Sequence, residues 1–409
     1  MRQQVNAGDA GISLVILRRG GRIAHTRRMA AATPASRRVV FITSKYWKAT
    51  SKVGFHFLAH SFARAGWDVL FITTHLSWLA AALGKRRHLA RRARAEANRL
   101  VDADGVASYA WYTPWHPVNF RFRLLNRATM GLFRRYGELT LGVEPLVATA
   151  DRIIFDSGPE LLLVERFKRL APEAAFVYRV SDDLRHSGIH PTVVQVEDEV
   201  APRFDLVSVP CAYIAERFRG LPRVAIQHHG IDKALFDRDY PDPYGADGRP
   251  RALFVGQHTL DLGFLATASA LAPEWTFHVI GPIAGLPRRD NVRAHGEMPF
   301  AATIPFVKHA DVGLQALAPH DGAEAFTDSL KIIQYTYCRL PILAPSFLRS
   351  PRPNVVLYNP GDRASIGSAL EEARRFDRGR VDTAGVRSWD DLADQLGRGA
   401  APRRTRPVP

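Results

Sequence analysis

From residue 37 onward the chain alternates continuous apolar runs with segments of helical spacing. "RRVVFITS" (37 to 44) reads as a strand, "HFLAHSFARAGW" (56 to 67) as a helix and "DVLFIT" (68 to 73) as a second strand. The unit recurs as "DRIIFDSG" (151 to 158), the helix "ELLLVERFKRLAP" (160 to 172) and "AAFVYRVSDD" (174 to 183), then as "FDLVSVP" (204 to 210), the helix "AYIAERFRG" (212 to 220) and "RVAIQHHGID" (223 to 232). Strands that are apolar throughout, not alternately, belong to parallel sheets covered on both faces. The stretch 237 to 251 is rich in Pro, Gly and Asp without periodicity and reads as a linker. The pattern then restarts with "ALFVGQ" (252 to 257), a helix near 261 to 272, "WTFHVIGP" (275 to 282), "NVRAHGEM" (291 to 298), a helix through "IPFVKHA", "DVGLQAL", the helix "DSLKIIQYTYCRL" (328 to 340) and "PILAPS". Two doubly wound α/β domains joined by a linker are the fold that this predicts.

Ligands of such sheets bind beyond the carboxyl ends of the strands, where the winding reverses. Asp182 and Asp183 stand just past the end of "FVYRV", and "HHGID" follows the strand ending at Gln227. A charge at a strand exit reaches a cleft without the cost of burial in mid-strand. The competing structural reading is that one aspartate caps a following helix. Neither G-x-G-x-x-G nor G-x-x-x-x-G-K-[ST] occurs, which removes the usual fingerprints of dinucleotide oxidoreductases and P-loop NTPases. The second domain offers "TDSLKIIQY" instead: Thr327, Asp328 and Ser329 are capping types, with Lys331 in the first turn and Gln334 on its face. A helix N-terminus with an added lysine can hold a diphosphate without a metal. Gly256, in the strand-to-loop turn "VGQH", lets backbone approach a phosphate. The triplets "DAD" (102 to 104) and "DRD" (237 to 239) lie in polar turn-like stretches, so no metal site is expected.

Charge divides the chain. Residues 1 to 150 hold 24 Lys and Arg against 7 Asp and Glu, and the remaining 259 hold 32 against 33, so the formal +16 belongs to the first part. "GKRRHLARRARAEANRL" (84 to 100) reads as a basic helix, and "FRFRLLNRATMGLFRRYG" (120 to 137) interleaves five arginines with apolar residues. Such a face suits an anionic lipid surface. A plain solvated face and nucleic acid are the alternatives, but no zinc-finger, RNP or helix-turn-helix pattern accompanies the charge. Cys211 and Cys338 are the only cysteines, which excludes a disulfide framework and reads as a cytoplasmic setting. No apolar run approaches the ~20 residues of a spanning helix, and "GISLVILRRGG" (11 to 21) lacks the flanks of a signal peptide. Residues 1 to 36, rich in Arg, Ala and Gly, are expected to be a disordered extension, with Met29 an alternative start.

Several separated blocks carry a resemblance: residues 150 to 184, "HHGID", "TFHVIG", "GEM" at 296 to 298, "FVKHADVGL" at 306 to 314 and "DSLKIIQY". In order and spacing they resemble the bacterial exopolysaccharide β-glucuronosyltransferases of the xanthan GumK type, over roughly residues 38 to 395. The resemblance implies a GT-B fold, with two Rossmann-like domains facing a deep cleft. It implies an acceptor domain at the membrane over 37–232, a linker over 233–251, a nucleotide-sugar domain over 252–385 and a terminal helix and tail over 386–409 crossing back to the first domain. It implies an inverting transfer of glucuronate from UDP-glucuronate to a polyprenyl diphosphate-linked oligosaccharide, without metal or cofactor, by a peripheral protein on the cytoplasmic side of the inner membrane. Ser181-Asp182 matches the family's S-D-G pattern, in which the aspartate is general base, and Asp183 stands where the family has glycine. Glu297, Lys331 and Gln334 carry over as UDP contacts, with Gly256, Gln257, Met298, Ser329 and Leu330 beside the nucleotide and Arg179, Asp183 and His229 in support. His229 and Glu160 are the next candidates for the base. Two other classes stay open: a GT-B enzyme using UDP-glucose or a GDP-sugar, and a non-catalytic basic module for membrane or nucleic acid.

Overall fold

The computed structural model describes residues 36–49, 52–84, 93–256 and 260–398. The expected extension up to residue 35, residues 85 to 92 of the basic run and Gln257 lie outside the described residues.

Apolar runs build two sheets. The first contains β1 (Arg38–Thr43), β2 (Asp68–Ser77), β3 (Leu100–Ala103), β4 (Val106–Thr113), β5 (Arg152–Phe155), β6 (Ala175–Arg179), β7 (Leu206–Val209) and β8 (Val224–Ile226), in the order β3-β4-β2-β1-β5-β6-β7-β8. All neighbours are parallel except β3 and β4. The second contains β9 (Arg251–Val255), β10 (Thr276–Ile280), β11 (Val292–Gly296), β12 (Val312–Leu314), β13 (Ile342–Pro345) and β14 (Val355–Tyr358), all parallel, in the order β11-β10-β9-β12-β13-β14. The winding reverses between β1 and β5 in one sheet and between β9 and β12 in the other, and the crevices for ligands fall there.

Both faces of each sheet are covered, which is why the strands lack polar alternation. In β1, Val40 and Ile42 enter one core cluster while Val39 and Phe41 enter another. In β9, Ala252 and Phe254 face one cluster and Leu253 the other.

Several elements differ from expectation. The hairpin β3–β4 and the pair of β14 with helix Arg363–Arg375 are additional. The strand expected to end at Gln227 runs over Val224–Ile226, and in the segment after it Ile231 pairs with Ser388. The helix expected over 160 to 172 begins as a 3-10 turn, Pro159–Leu163, and continues as an α-helix over Val164–Leu170.

The helix Trp389–Arg398 packs on helix Gly54–Arg64 of the first domain, with Trp389, Leu392 and Leu396 in one cluster with Phe55, Leu58 and Phe62. Backbone bonds from Ile231 N to Arg387 O (3.0 Å) and from Trp389 N to Ile231 O (3.2 Å) tie this segment to the chain leaving β8. Gly230 permits the approach, since a Cβ there would stand 2.6 Å from the Ser388 carbonyl carbon. Phe57 stacks on Trp389 at 5.5 Å and meets the edge of Phe300 in the second domain at 5.2 Å. Trp389→Ala is therefore expected to lower stability by about 3–5 kcal/mol, the usual range for a large buried aromatic. A denaturant midpoint equal to that of the parent would show that this docking stabilises nothing.

Candidate functional site

At the reversal in the first sheet, Asp156 follows β5 and is buried, with Oδ2 accepting from Thr43 Oγ1 at 2.6 Å and Oδ1 from Ser157 N at 2.8 Å. Glu160 is buried beside it. One oxygen accepts from Thr74 Oγ1 at 3.2 Å, and the other has no partner among the described residues. Burial, then the charge of Asp156, pushes the Glu160 carboxyl up to about 8, and burial raises Asp156 as well. The pair thus retains a proton at neutral pH. Glu160, a fallback candidate for the base, sits beside Asp156, which nothing in "FDSGPE" marks as buried.

The chain leaving β6 passes over Ser157, whose Oγ accepts from Ser181 N at 2.9 Å and from Asp182 N at 3.4 Å. Here the two aspartates part. Asp183 accepts from Arg185 Nε at 3.0 Å, from a terminal guanidinium nitrogen at 2.6 Å and from Arg185 N at 3.1 Å. Burial acts to raise its pKa, but the Arg185 hydrogen bonds outweigh it and hold the carboxyl below its ordinary value. Asp182 is half-buried, and its carboxylate accepts no hydrogen bond among the described residues. Neither aspartate caps a regular helix: the next one, Pro191–Val200, has His190 at its N-cap.

Asp182 lines two cavities. One, of about 420 Å³, lies between the domains and is bounded by Lys45, Arg179, Asp182 and His229 on one side and by Ser329 and Leu330 on the other. The second, of about 560 Å³, lies over the first-domain crevice and is bounded by Ser44, Lys45, His75, Ser157 and Asp182. Lys45, absent from the sequence-based set, borders both. Glu160 lies behind the wall of the second cavity, where Gly158 and Pro159 form the surface, so it does not reach a bound molecule as a base would. A larger groove, of about 1320 Å³, runs along helix Arg363–Arg375 and carries none of the site residues.

Arg179 is buried and donates to Ser208 Oγ (2.9 Å) and Gln227 O (2.6 Å), with its second terminal nitrogen 3.5 Å from His229 Nδ1. Burial lowers it to about 10 against the attraction of Asp156, which leaves it charged. Burial and then Arg179 hold His229 down to about 3, so that imidazole is neutral at physiological pH. Across the cleft, Asp328 accepts from Arg352 Nε at 2.6 Å and lies against the ring of His228.

In the second domain Ser329 occupies the N-cap of helix Leu330–Tyr337, makes no capping bond, and has a buried hydroxyl without a partner among the described residues. Lys331 holds its ammonium over the Phe254 ring at 4.1 Å, 3.2 Å from where a Cβ on Gly256 would stand. The structure therefore joins the two phosphate signals, strand-exit glycine and helix-start lysine. Among the described residues no carboxylate pairs with Lys331, and desolvation lowers it to about 7. Gln334 is buried one turn further on. Glu297 is exposed just past β11, at the same sheet edge as Gly256, while Met298 and Leu330 both pack on one core cluster. Lys331, Gly256, Glu297, Met298 and Gln334 lie outside the wall of the interdomain cavity, which reaches only Ser329 and Leu330 of the expected donor set.

Two doubly wound parallel sheets facing across a cleft are the architecture of the GT-B glycosyltransferases. The chain is similar in fold to sucrose-phosphate synthase of Thermosynechococcus elongatus, at a TM-score of 0.60 and 14% identity over 88% of this chain and 97% of that one. It is likewise similar to Anabaena HepE in complex with UDP and glucose, at a TM-score of 0.54 and 14% identity over 88% and 95%. Residues 41–210 match the family model for the N-terminal domain of glucuronosyltransferase GumK. UDP-glucuronate:glycolipid 2-β-glucuronosyltransferase of Xanthomonas campestris pv. campestris is 32% identical over 306 residues, 73% of this chain and 75% of the relative. The chain belongs to the GumK glucuronosyltransferase family.

The state of Lys331 yields a pH test. With a free pKa of about 7, its ammonium is fully charged below that value, and a diphosphate bound against it raises the pKa. UDP affinity measured by calorimetry is expected to be level below pH 7 and to fall above it, by up to about tenfold per unit until the bound pKa is passed. Lys331→Ala should bind more weakly and remove this limb, and a limb unchanged in that variant would assign it to another group.

Proposed function

We propose that this chain transfers glucuronate, with inversion, from UDP-glucuronate to a polyprenyl diphosphate-linked oligosaccharide at the cytoplasmic face of the inner membrane. The observation carrying the reading is Asp182, an unpaired carboxylate at the junction of two cavities. One cavity extends toward the second domain, where Ser329 and Lys331 suit a nucleotide diphosphate, and the other extends into the basic first domain, where an acceptor fits. Asp182 takes the proton of the acceptor hydroxyl as that oxygen bonds to the anomeric carbon and UDP departs from the opposite face. The departing charge is met by the Lys331 ammonium and the free N–H groups of its helix. The family relative that uses UDP-glucuronate and a glycolipid supports the choice of substrates.

Membrane attachment follows from helix Arg123–Arg134. Phe122 (69% exposed), Leu124 (82%) and Leu125 (51%) stand in water beside Arg121, Arg123 and Arg127, an arrangement suited to an anionic interface. No helix among the described residues is long and apolar enough to cross a membrane.

Asp182→Asn keeps the shape and removes proton acceptance, so turnover should fall by about 10²–10⁴-fold, with UDP affinity nearly unchanged. Asp183→Gly should cost much less, since Asp183 is occupied by Arg185. If Asp183→Asn abolished turnover and Asp182→Asn did not, the base would be misassigned.

The protein should also pellet with anionic liposomes at low salt and be partly released at high salt, as the attraction is screened within about 8 Å at physiological ionic strength. Equal binding to neutral vesicles at every salt concentration would refute the electrostatic part.

A further inference from the structure

One segment of the second domain reaches across the cleft. Between β12 and helix Leu330–Tyr337 the chain passes through Gly322, Ala325 and Asp328, all on the wall of the interdomain cavity. Each of the three meets the first domain: Gly322 on His186, Ala325 O accepting from Cys211 Sγ, and Asp328 against His228. The residues that follow are Ser329, Leu330 and Lys331, and Leu330 packs on core clusters of both domains. Whatever fixes this segment fixes the start of the diphosphate helix relative to Asp182.

The His228 contact has a form suited to a cleft that opens and shuts. Its Nδ1 is 2.9 Å from Pro210 O in its own domain and also in contact with Asp328 Oδ2 in the other. Both neighbours only accept, so Nδ1 carries the hydrogen. Pro210 O takes the bond, and the buried Asp328 Oδ2 has no hydrogen bond among the described residues. Asp328 is an anion all the same: burial acts to raise its pKa, but His228 and then Arg352 outweigh it and hold the carboxyl below its ordinary value. One donor thus stands between an acceptor in each domain. A slight closure turns it to Asp328. Separation returns it to Pro210 O, while Asp328 keeps its bond from Arg352. The exchange leaves no donor orphaned, so the tie forms and releases at little cost.

A second contact limits the approach. At Gly322, φ is 80° and a Cβ would stand 2.6 Å from the His186 Cβ, so only glycine lets the domains come this close.

We propose that His228 is a positioning residue for the glycosyl transfer: its Nδ1–H, shared between Pro210 O and Asp328, holds the two domains at a fixed spacing, with Gly322 on His186 as the stop. This rests on the proposed transfer and adds the device that aligns its donor and acceptor halves.

The test uses the full chain. Turnover is read as UDP released from UDP-glucuronate in the presence of a native lipid extract, UDP affinity by calorimetry, and domain spacing as the radius of gyration from small-angle X-ray scattering at saturating UDP. The His228 side chain is 45% exposed, so His228→Ala should keep the parent's melting temperature and UDP affinity. Its kcat should fall about tenfold, as for one lost charge-assisted hydrogen bond, and its radius of gyration should rise. His228→Asn, whose amide N–H can stand where Nδ1 does, should retain most of the turnover. Asp328→Ala should cost kcat less in the His228→Ala background than in the parent, since both act through one contact. Gly322→Ala and Gly361→Ala each put a Cβ at positive φ, 80° and 77°, but nothing stands within 4 Å of Gly361. Only the first should lower kcat and enlarge the molecule, and His186→Gly should restore it. Parental kcat in His228→Ala would overturn the proposal, as would a loss of turnover with melting temperature lowered and radius of gyration unchanged, which would make the residue merely structural. Equal losses in Gly322→Ala and Gly361→Ala would overturn the stop. A parent that releases no UDP, with variants that still enlarge as expected, would sink the transferase reading and leave the interdomain tie standing.

Discussion

One hydroxyl fastens the strand exits of the first domain where the winding reverses. Ser157 Oγ accepts from two successive backbone N–H groups, of Ser181 and Asp182, and so fastens the exit of β6 to the exit of β5. The preceding residue, Asp156, is itself bonded to Thr43 at the exit of β1. Three strand ends are thereby joined where the winding reverses, and the Asp182 side chain projects from a fixed backbone without being tied itself. Under the proposed function, this leaves the carboxylate open to a substrate proton while its backbone is held.

The fold was legible because burial on both faces removes polar alternation from parallel strands, and that pattern survives in the sequence. The elements it missed have a mixed character. β3 alternates exposed and half-exposed residues at a sheet edge, and helix Arg123–Arg134 turns leucines outward, so its arginines and apolar residues do not sort into a buried and a wet face. Asp182 was legible as a strand-exit acid, and the family pattern chose it over its neighbour. In the structure the two acids are set apart by the engagement of Asp183 by Arg185 two residues on. Asp156 and Lys45 were not legible, and Glu160 was named as a fallback base but not as a buried group, because which polar residues a crevice encloses depends on contacts between strands far apart in sequence.

The two domains meet through groups other than those assigned to chemistry. Asp328, bonded to Arg352, lies against His228 of the first domain, Cys211 Sγ donates to Ala325 O at 3.7 Å, and Gly322 lies against His186. The chain between β12 and helix Leu330–Tyr337 thus rests on the first domain just before it delivers Ser329 and Lys331. A change in domain spacing would therefore move Ser329 and Lys331 relative to Asp182.

Asp182 is reached from two sides, and that shapes how the cleft is used. Had the base faced only the interdomain space, acceptor and donor would compete for one entrance, and a lipid-anchored acceptor would have to thread between the domains. Under the proposed function, a separate first-domain cavity leaves the acceptor an approach apart from the space between the sheets. Basic residues concentrate in the first part of the chain, and the balanced remainder carries a few placed cations. Lys331 is one of these, desolvated enough to be sensitive to its ligand, and its value lies in having no carboxylate of its own among the described residues. A paired lysine would exchange one anion for another, whereas an unpaired one gains its counter-ion only when the diphosphate arrives.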